Sequence, residues 1–427
     1  MNVTVTQRKH CRVCGSSAVR RFLDFPDYPL ADNHLESPQS PNEFLCRYQA
    51  FWCPECKTAQ NLTDLDWSDY YADYDYSVST SPFARRFMNR LAENAIRRYN
   101  LSPGSTVVEI GSSDGYQLAC FQKRGMNAFG YEPGRTLAEA ARRSRVPTTT
   151  SLFGADTLHE IPTDMQPVDV FLSSYTLDHV ADPVACLRAM RQVLDPQHGL
   201  VIIEVHDLEQ IVARREACLF CHEHTIYPSW MTLGRLMERA GLKLISVDLM
   251  PDSERRGNSL LVVGAADTSL LEPALPAPSA LLSALDDWST YEDLAAAVDA
   301  AHRNLAGYVR ARLAAGRRVA GYGASARATS TLALAGLTDA EIAYVCDGNQ
   351  RLHGLYLPKS HVPICPPARL FKDPIDEVIV FAYGYMDEIK SMLSPLVERG
   401  GRLTSLLDLL RDNPDPAIPE EVCDAIA

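Results

Sequence analysis

The spacing of apolar and polar positions changes period several times along the chain, and each change marks an element. From about Ser81 the stretch PFARRFMNRLAENAIRRYN sets apolar residues three and four apart, which predicts an amphipathic helix. STVVEIGSSDGYQLACFQKRGMNAFGYEPG then predicts a strand at 106–110, a glycine-bearing turn, a helix, and a second strand at 128–131 running into Glu132. VDVFLSSYTLDHVADP reads as a strand ending in Ser173 and Ser174 and leading into Asp178-His179-Val180. GLVIIEVHD, at 199–207, is a buried strand with Glu204, Val205 and His206 at its carboxyl end, where open α/β sheets place their ligands. LVVGAADTSLLEPALPAPSALL thins into Pro and Ala as a domain boundary does, and a helical connector follows at 279–313. The α/β pattern restarts in GRRVAGYGASARATSTLALAGL, continues in IAYVCDGNQRLHGLYLP, with a strand ending in Asp347, and returns in DEVIVFAYGYMDEI.

At 427 residues the chain exceeds one ordinary core, and three domains are expected at 1–80, 81–268 and 314–427, with a linker and connector at 269–313. Hydrophobic residues at 46% predict a folded protein, and a net charge of -13 argues against a polyanion binder, so nucleic acid is excluded as a partner. No basic-then-apolar leader opens the sequence and no apolar run reaches the roughly 18 residues of a membrane span. A cytoplasmic protein with no membrane partner is expected. In a reducing compartment its 12 cysteines are metal ligands, core residues or thiols rather than disulfides.

Spacing narrows that choice. CRVCG (Cys11, Cys14) and WCPECKTAQ (Cys53, Cys56) are two CxxC knuckles separated by 38 residues, the pattern of a closed, structural four-thiolate Zn2+ site. Cys46 lies outside both knuckles.

The first glycine turn departs from a dinucleotide fingerprint: it runs Gly111-Ser-Ser-Asp114-Gly115, with Glu109 just before it. An acidic, hydroxyl-rich turn suits a cation better than a pyrophosphate. Gly111 and Gly115 would admit the backbone of the turn close to a ligand, and Glu132 is placed to accept from both ribose hydroxyls. S-adenosyl-L-methionine (SAM), with its sulfonium and amino group, fits these residues, and Ser173 and His179 would close the adenosyl pocket in the manner of class I methyltransferases. In the last block, Arg327 at a helix start and Lys359 would suit a diphosphate. CLFCHEHTIYPSW, 218–230, admits three readings: an acid/base site, a solvated polar loop, or a second zinc site of Cys218, Cys221, His222 and His224.

Together the CxxC pair, YADYDYSVSTS, VVEIGSSDG, HEH, GYGASARAT and DGNQRLHGLYLP resemble, in order and over nearly the whole chain, the nucleotide-deoxysugar C-methyltransferases of bacterial natural-product pathways. The resemblance implies a doubly wound class I SAM-dependent methyltransferase sheet flanked by a small zinc-binding amino-terminal domain and a Rossmann-like α/β carboxyl-terminal domain. It implies methylation of a carbon next to a carbonyl on a nucleotide-linked keto-deoxysugar or related small acceptor, through an enolate. On the same ground His224 is the base, Glu223 binds or orients the substrate, and Tyr76 is a phenol at the sugar; were the base elsewhere, His222 or Tyr76 would be the next candidate. The chain departs from the family in four places: Cys221 stands where YHEH has tyrosine, Ser113 and the Ser173-Ser174 pair stand where asparagines are common, and RRGNSL replaces HGGSL. Loss of the tyrosine would remove a phenol from the developing oxyanion and change the acceptor. An O- or N-methyltransferase, or a non-catalytic nucleotide-sugar scaffold, remains the alternative, and a monomer or homodimer is expected.

Overall fold

The computed structural model describes residues 4–30, 33–66, 71–72, 77–251, 254–267 and 273–410. In the amino-terminal part, strands β1 (Val5–Gln7) and β5 (Thr63–Leu65) form an antiparallel pair, and β2 (Arg20–Pro29), β3 (Leu45–Trp52) and β4 (Ala59–Asn61) form an antiparallel sheet. β3 shows why: Tyr48, Ala50 and Trp52 are buried while their neighbours are not, the period-two signature of a one-sided strand. A fourth strand reaches this sheet from mid-chain, for β11 (Ile226–Tyr227) pairs with β4.

Helix α1 (Pro82–Tyr99) opens the core as its spacing predicts. Ser81 caps it by accepting from Ala84 N, Pro82 occupies a first-turn position that needs no N–H, and Phe87, Met88, Leu91 and Ala95 face inward. The central sheet contains β6 (Thr106–Ile110), β7 (Asn127–Tyr131), β8 (Thr148–Thr149), β9 (Val170–Ser174), β10 (Leu200–Val205), β12 (Lys243–Val247) and β13 (Leu260–Ala265). Their order is β12-β13-β10-β9-β6-β7-β8, all parallel from β10 to β8, with β13 antiparallel to both its neighbours. Every residue of β6, β10 and β13 is buried, so these strands read as continuous apolar runs rather than alternations. Strand order reverses between β6 and β9, the switch point at which such sheets bind ligands.

The stretch 279–313 is not a free connector. It contains α7 (Ala280–Ala284) and the long α8 (Trp288–Ala314), whose Trp288 and Tyr291 pack on Trp52 of β3 while Leu305 and Val309 enter the carboxyl-terminal core. That last part is a parallel sheet of β14 (Val319–Tyr322), β15 (Val345–Cys346), β16 (Ile364–Cys365), β17 (Glu377–Val380) and β18 (Arg402–Ser405), ordered β16-β15-β14-β17-β18. Helix α9 (Ala326–Ala335) follows β14 and packs against β2 and residues 217–219, bringing this sheet onto the other two parts. Among the described residues no helix is long and apolar enough to cross a membrane.

Candidate active site and zinc centre

The two CxxC turns fold alike. Gly15 N donates to Cys11 O at 2.9 Å and Lys57 N to Cys53 O at 2.8 Å, and Gly15 and Lys57 both take left-handed backbone, with φ of 76° and 62°. The turns bring Cys11 Sγ to 3.5 Å from Cys56 Sγ and Cys14 Sγ to 3.6 Å from Cys53 Sγ, with all four sulfurs within 4.8 Å of one another. The neighbouring Cys56 thiol, together with Gln60 Nε2 at 3.1 Å, pulls the Cys11 thiol down to about 4 against the effect of its burial. Four clustered sulfurs, joined by no further ligand among the described residues, fit one tetrahedral Zn2+ and leave no position for a reacting water.

A cavity of about 820 Å³ lies at the carboxyl ends of the central strands, by the switch point. One wall belongs to the donor turn. Gly111 lines it with φ 69°, and a Cβ there would collide with the Thr176 hydroxyl, so only glycine leaves the turn in place. Glu132 lines the same wall; its Oε2 accepts from Ser113 N and its Oε1 from Gly134 N, both at 2.7 Å. Each carboxylate oxygen keeps a further lone pair, which suits a vicinal diol.

Three of the residues expected around the donor stand behind this wall. Glu109 is buried, accepts from Gln117 Nε2 at 2.8 Å, has an unpartnered Oε2, and is lifted to about 8 by burial. Asp114 accepts the Ser79 hydroxyl and Tyr116 N, fixing the turn to the segment that precedes α1. Ser173 is fully buried in β9, and it is Ser174 that reaches the cavity. Gly115 corrects the expectation of a close approach to ligand: its Cβ would lie 2.9 Å from Ala141 Cβ, so this glycine serves helix packing.

The opposite wall holds the acid/base groups. His179 and His206 line the cavity, and His224 packs against both, with ring centroids 4.9 Å and 4.6 Å away. His224 Nδ1 is 2.7 Å from Leu219 O, so Nδ1 carries a proton. His206 Nδ1 lies 2.9 Å from Asp178 Oδ2, and Tyr175 packs on the His206 ring at 4.6 Å. Burial opposes ionisation of Asp178, but the His206 hydrogen bond and the His179 and His224 imidazoles outweigh it and hold the carboxyl well below its usual range. Burial pushes His179 down to about 3 and lowers His206, so both rings are neutral near pH 7. Asp178, His179 and His224 also bring potential metal-ligating atoms within 4.8 Å of one another.

The CHEH residues split between two surroundings. Glu223 lines the cavity, whereas His222 points into the amino-terminal core between Tyr28 and Tyr48, where burial pushes it down to about 4 against weaker backbone contacts from Arg47 and Cys46. His222 is therefore no understudy for the base. Cys218 and Cys221 are buried in the same apolar cluster as Phe220 and Tyr227, away from the cavity lining, and join no metal-ligating group among the described residues. Tyr76 lies outside the described residues; the phenol seen at this wall is Tyr71, whose hydroxyl is 3.2 Å from His179 Nδ1.

The carboxyl-terminal part closes the cavity with Arg327, Gly384 and Tyr385. Arg327 is half-buried, lies 4.9 Å from the Tyr383 ring and has an unpartnered Nε, whereas Lys359 donates to Asp27 O and Glu43 and does not line the cavity. Tyr71 opens the YADYDYSVSTS motif and Arg256 lies in RRGNSL, but residue type and spacing gave neither of them a role, and nothing in the spacing marks Tyr175. Arg256 is neutralised by Glu204 and lies over the rings of Phe87 and Tyr175 at 4.6 Å and 5.2 Å.

Fold and site define a SAM-dependent methyltransferase carrying a zinc-binding domain. Three family models match in succession: "Putative zinc binding domain" over residues 11–71, "Methyltransferase domain" over 82–247 and "C-methyltransferase C-terminal domain" over 281–407. In succession the three matches follow the zinc-binding, methyltransferase and carboxyl-terminal parts that the resemblance to C-methyltransferases implies. It is 28% identical over 400 residues to the C-methyltransferase NovU of Streptomyces niveus, covering 92% of this chain and 94% of that one. Among solved structures it is similar to the magnesium protoporphyrin IX methyltransferase ChlM of Synechocystis PCC 6803 with bound SAH, at 12% identity, 47% of this chain, 93% of that chain and a TM-score of 0.35. It is also similar to the CcbJ methyltransferase of Streptomyces caelestis, at 16% identity, 47% and 96% coverage and a TM-score of 0.34.

Proposed function

We propose that the protein methylates a carbon adjacent to a carbonyl in a small acceptor, a nucleotide-linked keto-deoxysugar or a close analogue, in natural-product biosynthesis. The observation that carries this reading is the cavity itself, in which a donor wall of Gly111 and Glu132 faces an acceptor wall of neutral imidazoles. A carbon beside a ketone becomes nucleophilic only after losing a proton, and a neutral imidazole is the side chain able to take it near pH 7. Oxygen and nitrogen acceptors have no such requirement. The HEH motif gives the base role to His224, whose Nδ1 is turned to Leu219 O, and Glu223 orients the acceptor from the cavity rim. SAM, held by Gly111 and Glu132 with Glu109, Asp114, Gly115 and Ser173 supporting the turn and strand behind them, supplies the methyl group as a sulfonium electrophile. His179 faces the same space. Cys11, Cys14, Cys53 and Cys56 hold Zn2+ in a structural role. The similarity to NovU, a protein named as a C-methyltransferase, supports carbon as the methylated atom.

The test combines mass spectrometry with solvent exchange. Incubation with methyl-labelled SAM and a panel of thymidine-diphosphate keto-sugars should give a product labelled on carbon. Unmethylated acceptor should take up solvent deuterium when S-adenosylhomocysteine replaces the donor. Label on oxygen or nitrogen without exchange would refute the reading.

A further inference from the structure

We infer that Arg256 holds the carboxylate at the amino-acid end of the donor, through the guanidinium edge that Glu204 leaves free. This rests on SAM as the donor and names a contact for the end remote from the ribose. That end carries a carboxylate and an ammonium, and a carboxylate taken out of water needs N–H donors or a cation. Two guanidiniums line the cavity, Arg256 from the methyltransferase part and Arg327 from the carboxyl-terminal part. Their surroundings differ. Arg327 lies against Tyr383, on the wall that the carboxyl-terminal part contributes. Arg256 stands just before β13, whose first residue, Leu260, pairs with Val205 at the end of β10, so it sits at the carboxyl ends of the parallel strands.

From there its side chain turns back along the row of strand ends. Glu204 of β10 is in register with Ser174 of β9, and Ser173 with Ile110 of β6, so Glu204, Ser174 and the Gly111 turn follow one another across the sheet. The Arg256 guanidinium carbon is 5.2 Å from the ring centre of Tyr175, the residue after β9, and 4.6 Å from that of Phe87 in α1. The start of α1 belongs to the donor side as well, since Ser79 before it donates its hydroxyl to Asp114 of the turn. The Arg256 charge also opposes the effect of burial on Glu109, just before the turn. Glu132 follows β7, on the other side of β6 from β9. A donor whose ribose sits on Glu132 and which crosses the Gly111 turn therefore runs toward Arg256.

The donor count of the guanidinium fits a second carboxylate. Of its five N–H groups, Nε donates to Glu204 Oε1 at 3.3 Å and one terminal nitrogen donates to Glu204 Oε2. Three N–H groups remain, one on that terminal nitrogen and two on the other, and a parallel pair of them forms the fork that carboxylates accept. Among the described residues no other acceptor meets this side chain. The pair is held in place: the Arg256 side chain is 9% exposed, Ser259 donates its hydroxyl to Glu204 Oε1 at 2.8 Å, and the Tyr175 hydroxyl is 2.9 Å from both Arg256 O and Asn258 O. Charge balances too. Glu204 neutralises Arg256, and an amino-acid end with one carboxylate and one ammonium adds no net charge beside them.

The test is a cycle in which protein and ligand are changed separately. Calorimetry compares S-adenosylhomocysteine with its decarboxylated analogue, which keeps the adenosine, the sulfur and the amine. Wild type should bind S-adenosylhomocysteine about ten- to a hundredfold more tightly than the analogue, the range of charge-assisted hydrogen bonds. Arg256→Gln should reduce that preference to within about threefold, by weakening S-adenosylhomocysteine and leaving the analogue unchanged, and the retained analogue affinity shows that the fold is intact. Because Arg256→Gln leaves Glu204 buried without its cation, Arg256→Lys is measured alongside. It keeps a charge for Glu204 but presents no fork, so it too should lose most of the preference, and it decides alone if Arg256→Gln does not fold. Equal losses for both ligands, or an unchanged preference, overturn the assignment. Methylation lost with S-adenosylhomocysteine affinity intact overturns it as well, and would place Arg256 on the acceptor. A wild type that binds neither ligand overturns SAM as the donor instead, so the two failures are distinguishable.

Discussion

Replacing Arg12 by methionine tests whether the zinc domain holds the active site together. Arg12 follows the ligand Cys11 and is 6% exposed. Its Nε and one terminal nitrogen donate to Asn61 O at 2.9 Å and 2.6 Å, the other terminal nitrogen donates to Ala181 O at 2.5 Å, and Asp64 Oδ1 accepts at 2.9 Å. Ala181 lines the cavity, and Asn61 also donates from Nδ2 to His222 O and from its backbone to Thr225 O. One guanidinium therefore clamps β4, the loop after His179 and the HEH loop. Removing one partner of a buried charged pair costs about 3–5 kcal/mol, and the partial exposure of Asp64 at 23% places the loss near the lower end. About 3 kcal/mol of local stability corresponds to roughly a hundredfold in an opening equilibrium. Amide hydrogen exchange should show that loss of protection at His179 and Thr225, whose N–H groups bond Thr176 O and Asp178 O. Zinc should be retained, because no ligand changes, and methyl transfer should fall more than donor affinity. Protection within about fivefold of wild type, with full activity, would refute the clamp.

Stripping zinc should release the two knuckles together and, through Arg12, abolish methyl transfer; elemental analysis should find one zinc per chain, and an active metal-free protein would count against the site. Glu132→Ala should weaken SAM binding by about 1.5–3 kcal/mol, roughly ten- to a hundredfold by calorimetry, since it removes a charged acceptor. Glu109, lifted to about 8 from 4.5, holds more protons folded than unfolded, so its stabilising contribution is complete below 4.5 and is lost as pH rises through 8. Donor-free Glu109→Gln should accordingly lose less stability than wild type between those values in thermal melts. Cys221→Tyr should destabilise by about 1–3 kcal/mol through overpacking, without broadening the range of acceptors methylated, because position 221 faces an apolar cluster and not the cavity.

The parts legible in the sequence are those whose burial is complete or whose geometry is local. β6 is found at the residues its apolar run predicts, and β10 falls within the predicted 199–207, because a strand covered on both faces needs no alternation to be recognised. The CxxC turns are legible because two residues between thiols suffice to aim both at one ion. β13 was hidden: LVVGA, which runs into a Pro- and Ala-rich stretch, reads as the edge of a boundary, yet its six buried residues insert antiparallel between β10 and β12. Asp178 and His206 were each visible at a strand end, but 28 residues separate them, and only β9 lying beside β10 brings carboxylate and imidazole into contact.

The CHEH stretch fails as a single motif for a related reason. A short loop between two packed bodies presents successive residues to opposite sides, and residue type alone does not say which side. Cys218, Cys221 and His222 turn toward the amino-terminal sheet, Glu223 and His224 toward the cavity and its imidazoles, and Ile226 and Tyr227 then complete that sheet as its edge strand. Tyr227 fixes the alternation, since its hydroxyl bonds Tyr48 at 2.6 Å and the backbone of Cys221 and His224 at 3.2–3.3 Å. The register of two strand residues thus decides which histidine is buried in an apolar core and which stands beside the reacting groups.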